Sequence, residues 1–353
     1  MIAVRNKLSV LGHKVMMVFL SLPVLILTGC NIWEDLPECP PTTGKVWIGL
    51  SFTYHNTKDD NGNHKDLFGE TVRRTDLFIF NENNLLVKKI EDTTGPFTNG
   101  YRIPIELPAG TYHAVAWNNL YSNEATLISP EPVEGVTREE ELTVQLSELD
   151  KKQITLHSLP LLYGKTEPFT ISENDLTRAG DTVIPISLLR NTNQINVIVK
   201  WLVADTGKPC QDASHAESTH IYIKDNNGIY DFSNVQQAVD VFTYIPSYLT
   251  NSQTVNKEGY EAALYAKSTV MRMFPDSSPR LQICNVLPDG REVTVYDADL
   301  MADFIGKLYN EQEKIDRCPS FDIEITFKCN SWVAVDIIIN GWKLEDSGDV
   351  DIQ

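Results

Sequence analysis

The chain has 353 residues, and its apolar content of 42% is enough to bury a core over two domains of ordinary size. Its formal net charge is −18. So acidic a chain repels nucleic-acid phosphates and anionic lipid headgroups, and no basic cluster offsets the charge, so nucleic acid is excluded as a partner.

Residues 1–29 have the features of a secretory signal peptide. Arg5, Lys7 and Lys14 form a positive n-region, and an apolar run over residues 15–27 follows. The run is too short and too interrupted to span a bilayer, which takes about 20 apolar residues. Because the three positive charges leave with the signal, the net charge of the mature chain falls to −21.

The apolar run ends in Leu27-Thr28-Gly29-Cys30, which is the pattern of a lipobox. We expect cleavage before Cys30 and acylation of its thiol, so Cys30 is the predicted lipid-attachment site. Several acyl chains hold a protein firmly at a membrane, since each buried methylene contributes roughly 0.8 kcal/mol. The alternative is an ordinary signal peptide followed by a coincidental cysteine. The acidic pair Glu34–Asp35 resembles the tag that sends lipoproteins to the outer face in some Gram-negative anaerobes.

Patterns of short strands dominate the rest of the chain. Residues 46–52 alternate between apolar and polar types, which predicts a half-buried strand. The apolar segments 77–80 and 85–87 flank an Asn-rich turn at 81–84 and predict a hairpin, because asparagine tolerates positive φ. Further strands are predicted at 101–107, 112–117, 195–201, 321–327 and 332–339.

Evidence for helices is limited to two segments. Residues 297–314 carry apolar side chains at three- and four-residue spacings, and Asp297 or Asp299 is the expected N-cap. A shorter helix is predicted within residues 260–273. Many strands and few helices predict an all-β fold of β-sandwich domains with one or two accessory helices.

The second half of the chain echoes the first at two places. Residues 221–230 repeat the strand–turn–strand pattern of residues 77–87, and Leu287–Gly290 repeats the turn at Leu107–Gly110. Two similar β-domains would give both echoes if the second domain carried an insertion over about residues 233–280. Common turn chemistry would produce them as well.

The residues show no constellation that performs catalysis. The chain has no Gly-x-Ser-x-Gly elbow, phosphate loop or His-Glu-x-x-His helix, so we expect no enzymatic activity and no cofactor. His215 and His220 are interpreted as exposed loop histidines in preference to a metal pair. Residues 59–70 resemble a calcium loop, but His64 stands where that loop needs glycine. Glu139–Glu141 is interpreted as a solvated face.

Five cysteines remain after Cys30, so at least one is free or pairs between chains. A bond between Cys318 and Cys329 is argued against, because a strand between them would separate their Cα atoms by roughly 30 Å, whereas a disulfide needs less than about 7 Å. The pairing otherwise stays open among Cys39, Cys210, Cys284, Cys318 and Cys329.

Six segments carry a family resemblance through their order along the chain. They are Trp33–Pro40, Asp76–Val87, Leu107–Asn119, Leu162–Gly164, Leu188–Ile195 and Ile339–Trp342. Together they resemble the FimB-like fimbrial anchor family of lipoproteins (the minor-fimbrium anchor group), from about residue 30 to the end. The resemblance implies two transthyretin-like Greek-key β-sandwich domains. With the signal at 1–29 and a lipidated tether at 30–45, these domains are placed at 46–180 and 181–353.

The resemblance also implies a function and partners. It implies a lipoprotein of the outer membrane, exposed at the cell surface, that holds the base of a fimbrium and limits its length. Its partners would be fimbrial subunits, joined by exchange of a β-strand that fills a groove in the neighbour. Stalk and tip subunits of such fimbriae lose an N-terminal strand to a protease, whereas an anchor keeps it. Arginine is absent between Cys30 and Arg73, which is compatible with retention.

Two alternatives remain open at this stage. The first is a surface glycan-binding lipoprotein, which an exposed row of aromatic residues would favour. Four of the tryptophans occur in strand patterns, however, where packing in a core is expected instead. These are Trp47, Trp117, Trp201 and Trp332. The second alternative is a stalk or tip adhesin subunit.

Overall fold

The computed structural model describes residues 44–53, 64–121, 126–157, 159–172, 179–202, 219–255, 260–328 and 331–344. These residues belong to one compact unit that begins at Gly44. The predicted signal peptide, the lipobox with Cys30 and the pair Glu34–Asp35 lie outside the described residues.

The described residues of the first half of the chain form short strands and three brief helical segments. The helical segments are the α-helix Phe68–Thr71 and the 3-10 turns Glu139–Glu141 and Leu149–Lys151. The strands are β1 (Gly44–Ser51), β2 (Thr75–Asn81), β3 (Leu86–Asp92), β4 (Arg102–Leu107), β5 (Gly110–Asn118), β6 (Thr126–Ser129), β7 (Thr143–Leu146), β8 (Gln153–Ile154), β9 (Leu162–Lys165), β10 (Phe169–Ile171), β11 (Ala179–Ser187) and β12 (Leu189–Arg190).

The second half is also built mainly of strands. Its helical segments are the π-helical turn Leu300–Ile305 and the α-helices Gly306–Leu308 and Gln312–Arg317. The strands are β13 (Thr192–Leu202), β14 (Thr219–Asp225), β15 (Ile229–Asp231), β16 (Gln236–Gln237), β17 (Phe242–Tyr244), β18 (Tyr248–Val255), β19 (Tyr260–Met271), β20 (Arg280–Val286), β21 (Glu292–Asp299), β22 (Ser320–Phe327), β23 (Ala334–Ile339) and β24 (Trp342–Lys343).

The first sandwich consists of two sheets that share a core. Sheet I has the order β11-β1-β4, and sheet II has the order β12-β9-β5-β2-β3, with β10 also paired to β5. Period-two alternation places Ile48 and Leu50 of β1 inward, where they pack with Leu77 and Ile79 of β2. The predicted strand at 46–52 and the predicted hairpin after β2 are both confirmed, and Asn84 has the expected positive φ of 57°.

The second sandwich repeats this arrangement. Sheet IV has the order β21-β20-β14-β17-β8, and sheet V has the order β18-β19-β13-β22-β23-β24. Inward residues of β13 and β22, such as Val197 and Ile323, pack with Ile221 and Ile283 of sheet IV. The predicted strands at 195–201 and 321–327 are confirmed.

A fifth sheet joins the two halves of the chain. Sheet III has the order β16-β15-β7-β6, so β6 and β7 from the first half pair with β15 and β16 from the second. In addition, β8 of the first half runs parallel to β17 of the second. The outward face of sheet II is therefore covered, and Phe78 and Trp117 on that face are fully buried in one core with Phe232.

The two sandwiches share a common topology. Strand β1 lies between a parallel and an antiparallel neighbour, β11 and β4, and β13 lies in the same way between β22 and β19. The order β9-β5-β2-β3 matches the order β21-β20-β14-β17, and all of these neighbours are antiparallel. The sequence echo between residues 77–87 and 221–230 falls at matching positions in its first strand, because β14 corresponds to β2, whereas β15 does not correspond to β3.

The other sequence echo falls at positions that do not match. The turn at 107–110 joins β4 to β5, which lie in different sheets, whereas the turn at 287–290 joins β20 to β21 within one sheet. The predicted strand–turn–strand at 221–230 also forms no hairpin, because β14 and β15 belong to different sheets. The proposed insertion at 233–280 includes β19, the counterpart of β4, so it is part of the shared topology.

The helix predictions are partly wrong. Residues 260–271 form the long strand β19, paired on both sides, and not a helix. The helix predicted at 297–314 begins at Leu300, because residues 292–299 complete β21. Asp299 is its cap, with its carboxylate accepting hydrogen bonds from the amides of Met301 and Ala302 at 2.8 Å.

The all-β class with few helices is confirmed. The division into domains at 46–180 and 181–353 stays a prediction. Strand β11, which crosses residue 180, pairs with β1 of the first sandwich.

Candidate functional site

The strand that follows the predicted tether is built into the first sandwich. Strand β1 is hydrogen-bonded along both edges, to β11 and to β4. Its inward residues Ile48 and Leu50 are buried, as is Phe52 just after the strand. Removal of β1 would uncover the core residues that these side chains pack against and leave an apolar groove between β11 and β4. Among the described residues, no helix is long and apolar enough to cross a membrane.

The last hairpin of sheet V presents apolar side chains to solvent. The predicted turn after β23 is confirmed, with Asn340 and Gly341 both at positive φ. Strand β24 has no further strand beside it among the described residues. The ring of Trp342 on this strand is 70% exposed, and Val335 on β23 is 44% exposed.

Three of the segments that carry the family resemblance, those with Phe80, Trp117 and Tyr163, meet at the junction between the sandwiches. We call this region the joint and define it by Phe80, Trp117, Tyr163, Phe232 and sheet III. The ring centroids of Trp117 and Tyr163 are 4.9 Å apart, and Phe232 packs against Phe80 and Trp117. The Tyr163 hydroxyl donates to the carbonyl oxygen of Phe232 at 3.2 Å.

A buried ion cluster lies beside the joint and corrects one interpretation of the sequence. Glu139 is buried and not solvated, whereas Glu140 and Glu141 are exposed as expected. One Glu139 oxygen lies 2.6 Å from Nε2 of His113, and the other lies 2.5 Å from Nζ of Lys165. Burial alone would raise the pKa of Glu139, but these two partners outweigh it and hold the pKa below its usual range.

His220 lies on a strand and not in a loop. It is in β14, where its Nδ1 atom lies 2.7 Å from Glu292 on β21, and the hydroxyl of Tyr222 donates to the same carboxylate oxygen at 2.7 Å. The bonds from Tyr222 and His220 lower the pKa of Glu292. His215 lies outside the described residues.

The described residues contain no group of three or more His, Cys, Asp or Glu side chains that could hold a metal ion. Most of the calcium-like loop, residues 59–63, lies outside the described residues. Glu70, the last position of that pattern, forms an ion pair with Lys65.

The tryptophans are placed largely as predicted. Trp117 and Trp201 are buried, and Trp332 is half-buried against Trp201 with ring centroids 5.3 Å apart. Trp47 is half-buried and has the ammonium of Lys45 5.1 Å from its ring centroid. The described residues therefore present no exposed row of these four tryptophans.

Two cysteines can be placed. Cys284 and Cys318 are buried and unpaired. The segment after Cys318 is one continuous strand, β22, as the argument against a bond to Cys329 requires. Cys39, Cys210 and Cys329 lie outside the described residues, so their pairing stays open.

The comparison with protein families decides the affiliation. The family model described as fimbrillin-A associated anchor proteins Mfa1 and Mfa2 matches residues 36–348. The chain belongs to the Mfa2 fimbrial anchor family. Membership implies association with fimbrial subunits and a structural role, and it confirms the resemblance found in the sequence. No curated protein matches the chain.

Solved structures share this fold. The fimbrial anchor protein Mfa2 from Porphyromonas gingivalis is 19% identical with a TM-score of 0.64, over 86% of this chain and 99% of that one. A proposed polysaccharide-binding protein from Bacteroides thetaiotaomicron is 21% identical with a TM-score of 0.68, over 86% of this chain and 98% of that one. A proposed adhesin from the same organism is 22% identical with a TM-score of 0.65, over 87% and 99%. At these identities the likeness shows the fold alone.

Sequence reasoning missed the members of the joint that come from the second half. Phe232 lies just beyond the strand–turn–strand predicted at 221–230, and β6, β7 and β15 are only three or four residues long. Glu139 was missed because its partners His113 and Lys165 are each 26 residues away along the chain.

Proposed function

We propose that the protein is an outer-membrane lipoprotein that anchors a fimbrium and limits its length, with Cys30 as the lipid-bearing first residue. The observation that supports the proposal is that strand β1 is paired along both edges in a member of a fimbrial anchor family. An anchor has to transmit force from an external polymer to the membrane. The first strand after the tether is the element through which that force enters the fold.

The geometry of β1 suits this task. Thirteen residues lie between Cys30 and Gly44, so the extended tether reaches about 50 Å. A pull from Cys30 along β1 loads the hydrogen bonds to β11 and β4 together, in shear, because they lie across the direction of force. Buried Ile48 and Leu50 add apolar contacts that have to break in the same step.

Absence of a cleavage site would keep β1 attached to the lipid. No arginine occurs between Cys30 and Arg73, so an arginine-specific protease has no site between the lipid and the end of β1. The first possible cut, at Arg73, follows the helix Phe68–Thr71. The backbone amide of Arg73 donates to Asn119 at 2.8 Å, which ties this site to sheet II.

In this proposal the subunit next to the anchor is joined to it by strand exchange. A donor strand adds main-chain hydrogen bonds to the neighbour's sheet and places alternate side chains in its groove.

Deletion of the gene tests the anchor function. We expect fimbriae that are shed into the medium and longer than those of the parent strain, as seen by electron microscopy. Fimbriae that stay attached with unchanged length would overturn the proposal.

Lipid attachment is tested separately by Cys30→Ala. The variant should move from the membrane fraction to the soluble fraction, with its fold intact by circular dichroism. Cys39→Ala is the matched control and should stay in the membrane fraction. Retention of Cys30→Ala in the membrane without incorporated acyl chains would refute the role of Cys30.

A further inference from the structure

Strand β24 ends sheet V with an apolar side chain in solvent. The ring of Trp342 is 70% exposed, whereas Ile339, which lies opposite it on β23, is fully buried in the core. Opposite residues of an antiparallel pair share one face of the sheet, so Trp342 lies on the inward face, beyond the part that the core covers. Leu344 lies on the same face, because side chains alternate along a strand, and it packs partly buried against the core. The inward face of β24 would therefore bury more apolar surface if one further strand lay beside it.

The backbone of β24 has hydrogen-bonding groups that are directed away from the sheet. The amide of Leu344 donates to the carbonyl oxygen of Ile337 on β23 at 2.9 Å. The bonding groups of successive residues point to opposite sides of a strand, so the N–H and C=O groups of Lys343 point away from β23. Among the described residues, no strand lies on that side. The edge can thus accept an antiparallel strand through the two backbone groups of Lys343, with an apolar side chain before and after them.

The sequence that follows β24 has the pattern of a strand that returns along it. Residues 345–353 lie outside the described residues, and their sequence is Glu-Asp-Ser-Gly-Asp-Val-Asp-Ile-Gln. Asp346–Gly348 suits a three-residue hairpin loop, because the last position of that loop takes the left-handed conformation, which glycine adopts readily. Such a loop would be closed by Glu345 and Asp349. Residues 350–352 then alternate between apolar and acidic types, which is typical of a strand with one buried face.

The register that this loop sets brings apolar residues together. It would place Val350 opposite Leu344 and Ile352 opposite Trp342, both on the inward face. Cross-strand pairs of aromatic and β-branched residues are among those that stabilise a sheet. The exposed ring of Trp342 would then be covered by the chain's own sequence.

The same register brings opposite charges together on the outward face. Asp351 would lie opposite Lys343, whose ammonium group already lies 3.1 Å from a carboxylate oxygen of Asp336 on β23. A shift of one residue in either direction would instead move Asp351 to the inward face, beside Trp342 or Leu344. The charges and the apolar side chains therefore favour one and the same register.

We propose that residues 349–352 dock on β24 as one more antiparallel strand of sheet V. Trp342 and Leu344 are their apolar contacts, and Lys343 supplies the hydrogen bonds and the charge. The docked segment covers the free edge of the sheet, which would otherwise be a template for a strand from another chain. This contact does not depend on the anchor function.

Disulfide formation in the full-length Cys30→Ala chain tests the register. Leu344→Cys/Val350→Cys places two thiols at a pair without ladder hydrogen bonds, where opposite Cα atoms lie about 4.5 Å apart, within the reach of a disulfide. We expect mild oxidation to join these thiols within one chain in most molecules, as identified by mass spectrometry of peptides. Lys343→Cys/Val350→Cys is the matched control, because residue 343 lies on the opposite face of β24, and its yield should be at least about fivefold lower.

Hydrogen exchange provides a second measurement on the docked strand. The amide of Lys343 should be protected in the parent chain, because it donates to the added strand. Ile352→Asp places a charge against Trp342 and should speed this exchange at least about tenfold. Val333→Asp, at a site that is 56% exposed and outside the paired segment, is the control and should leave the exchange unchanged.

Four outcomes would overturn the proposal. They are equal yields for the two cysteine pairs, an unprotected Lys343 amide in the parent, unchanged exchange in Ile352→Asp, and a disulfide that joins two chains. The last of these would assign the edge of β24 to a second copy of the chain.

Discussion

The hydroxyl of Tyr163 donates a hydrogen bond to the carbonyl oxygen of Phe232, 3.2 Å away and 69 residues along the chain. The first residue lies on β9 of the first sandwich, and the second follows β15 in sheet III. Burial raises the pKa of Tyr163, and the charge of Glu139 adds to the effect, so the phenol stays protonated and remains a donor. This bond lies inside the joint and fastens the two halves of the chain together.

Tyr163→Phe should therefore destabilise the joint without creating a large cavity in it. The ring keeps its contact with Trp117, while the buried carbonyl of Phe232 loses its donor, which costs about 1–2 kcal/mol. Urea denaturation would measure the loss as a lower midpoint at unchanged slope. Tyr112→Phe is the control, since that hydroxyl donates to Pro108 within one sandwich. A single transition is expected for both variants, and two separate transitions in the parent would contradict a shared core.

Strands with period-two alternation could be predicted from the sequence because the pattern is local. Strands β1, β13 and β22 each bury one face, and the alternating pattern predicted the bounds of each strand to within a few residues. Strand β19 was mistaken for a helix because Ala262, Ala263 and Ala266 favour helix, whereas pairing with β13 and β18 decides the outcome.

The joint could not be predicted, because its partners are distant along the chain. Sheet III pairs β7 with β15, and no local pattern links these two short strands. The ion cluster of Glu139 is hidden for the same reason. A run of three glutamates looks solvated until the fold brings His113 and Lys165 to the first of them.

Asp225 should make the protein less stable as pH rises. Burial, and then the charge of Asp299, raises the pKa of Asp225 from 3.8 to about 6. The folded state therefore binds the proton more tightly than the unfolded chain, and stability is lost as pH rises from about 4 through about 6. Asp225→Asn removes the buried charge, so we expect it to stabilise the fold at pH 7.5 by about 1–3 kcal/mol.

Denaturation at pH 4 and at pH 7.5 measures this difference. The gain from Asp225→Asn should be largest at the higher pH and small at the lower one. Asp240→Asn, at an exposed site on the loop before β17, is the control and should change stability little at either pH. A gain of equal size at both values would contradict the raised pKa.

Glu139→Gln should have the opposite pH dependence. Partners His113 and Lys165 lower the pKa of Glu139, so its contribution is present at neutral pH and is lost as pH falls through the lowered value. Since Lys165 is one-third exposed, we expect a loss of about 1–3 kcal/mol at pH 7, below the cost of breaking a fully buried pair. Glu140→Gln at the exposed neighbour should cost less than about 0.5 kcal/mol. Equal losses for the two variants would show that the buried cluster adds nothing.

The absence of arginine before Arg73 can be turned into a test of the tether. Thr42→Arg places a cleavage site between Cys30 and the first residue of β1, Gly44. Because the fold begins after that site, an arginine-specific protease should release a folded protein and leave the lipidated stub in the membrane. Thr42→Lys adds the same charge without a site and should remain membrane-bound under identical treatment. Release is measured as protein in the supernatant that melts at the parent temperature, together with loss of fimbriae from treated cells. If Thr42→Arg is cleaved but the fold and its fimbriae stay on the cell, the tether through Cys30 is not what holds them.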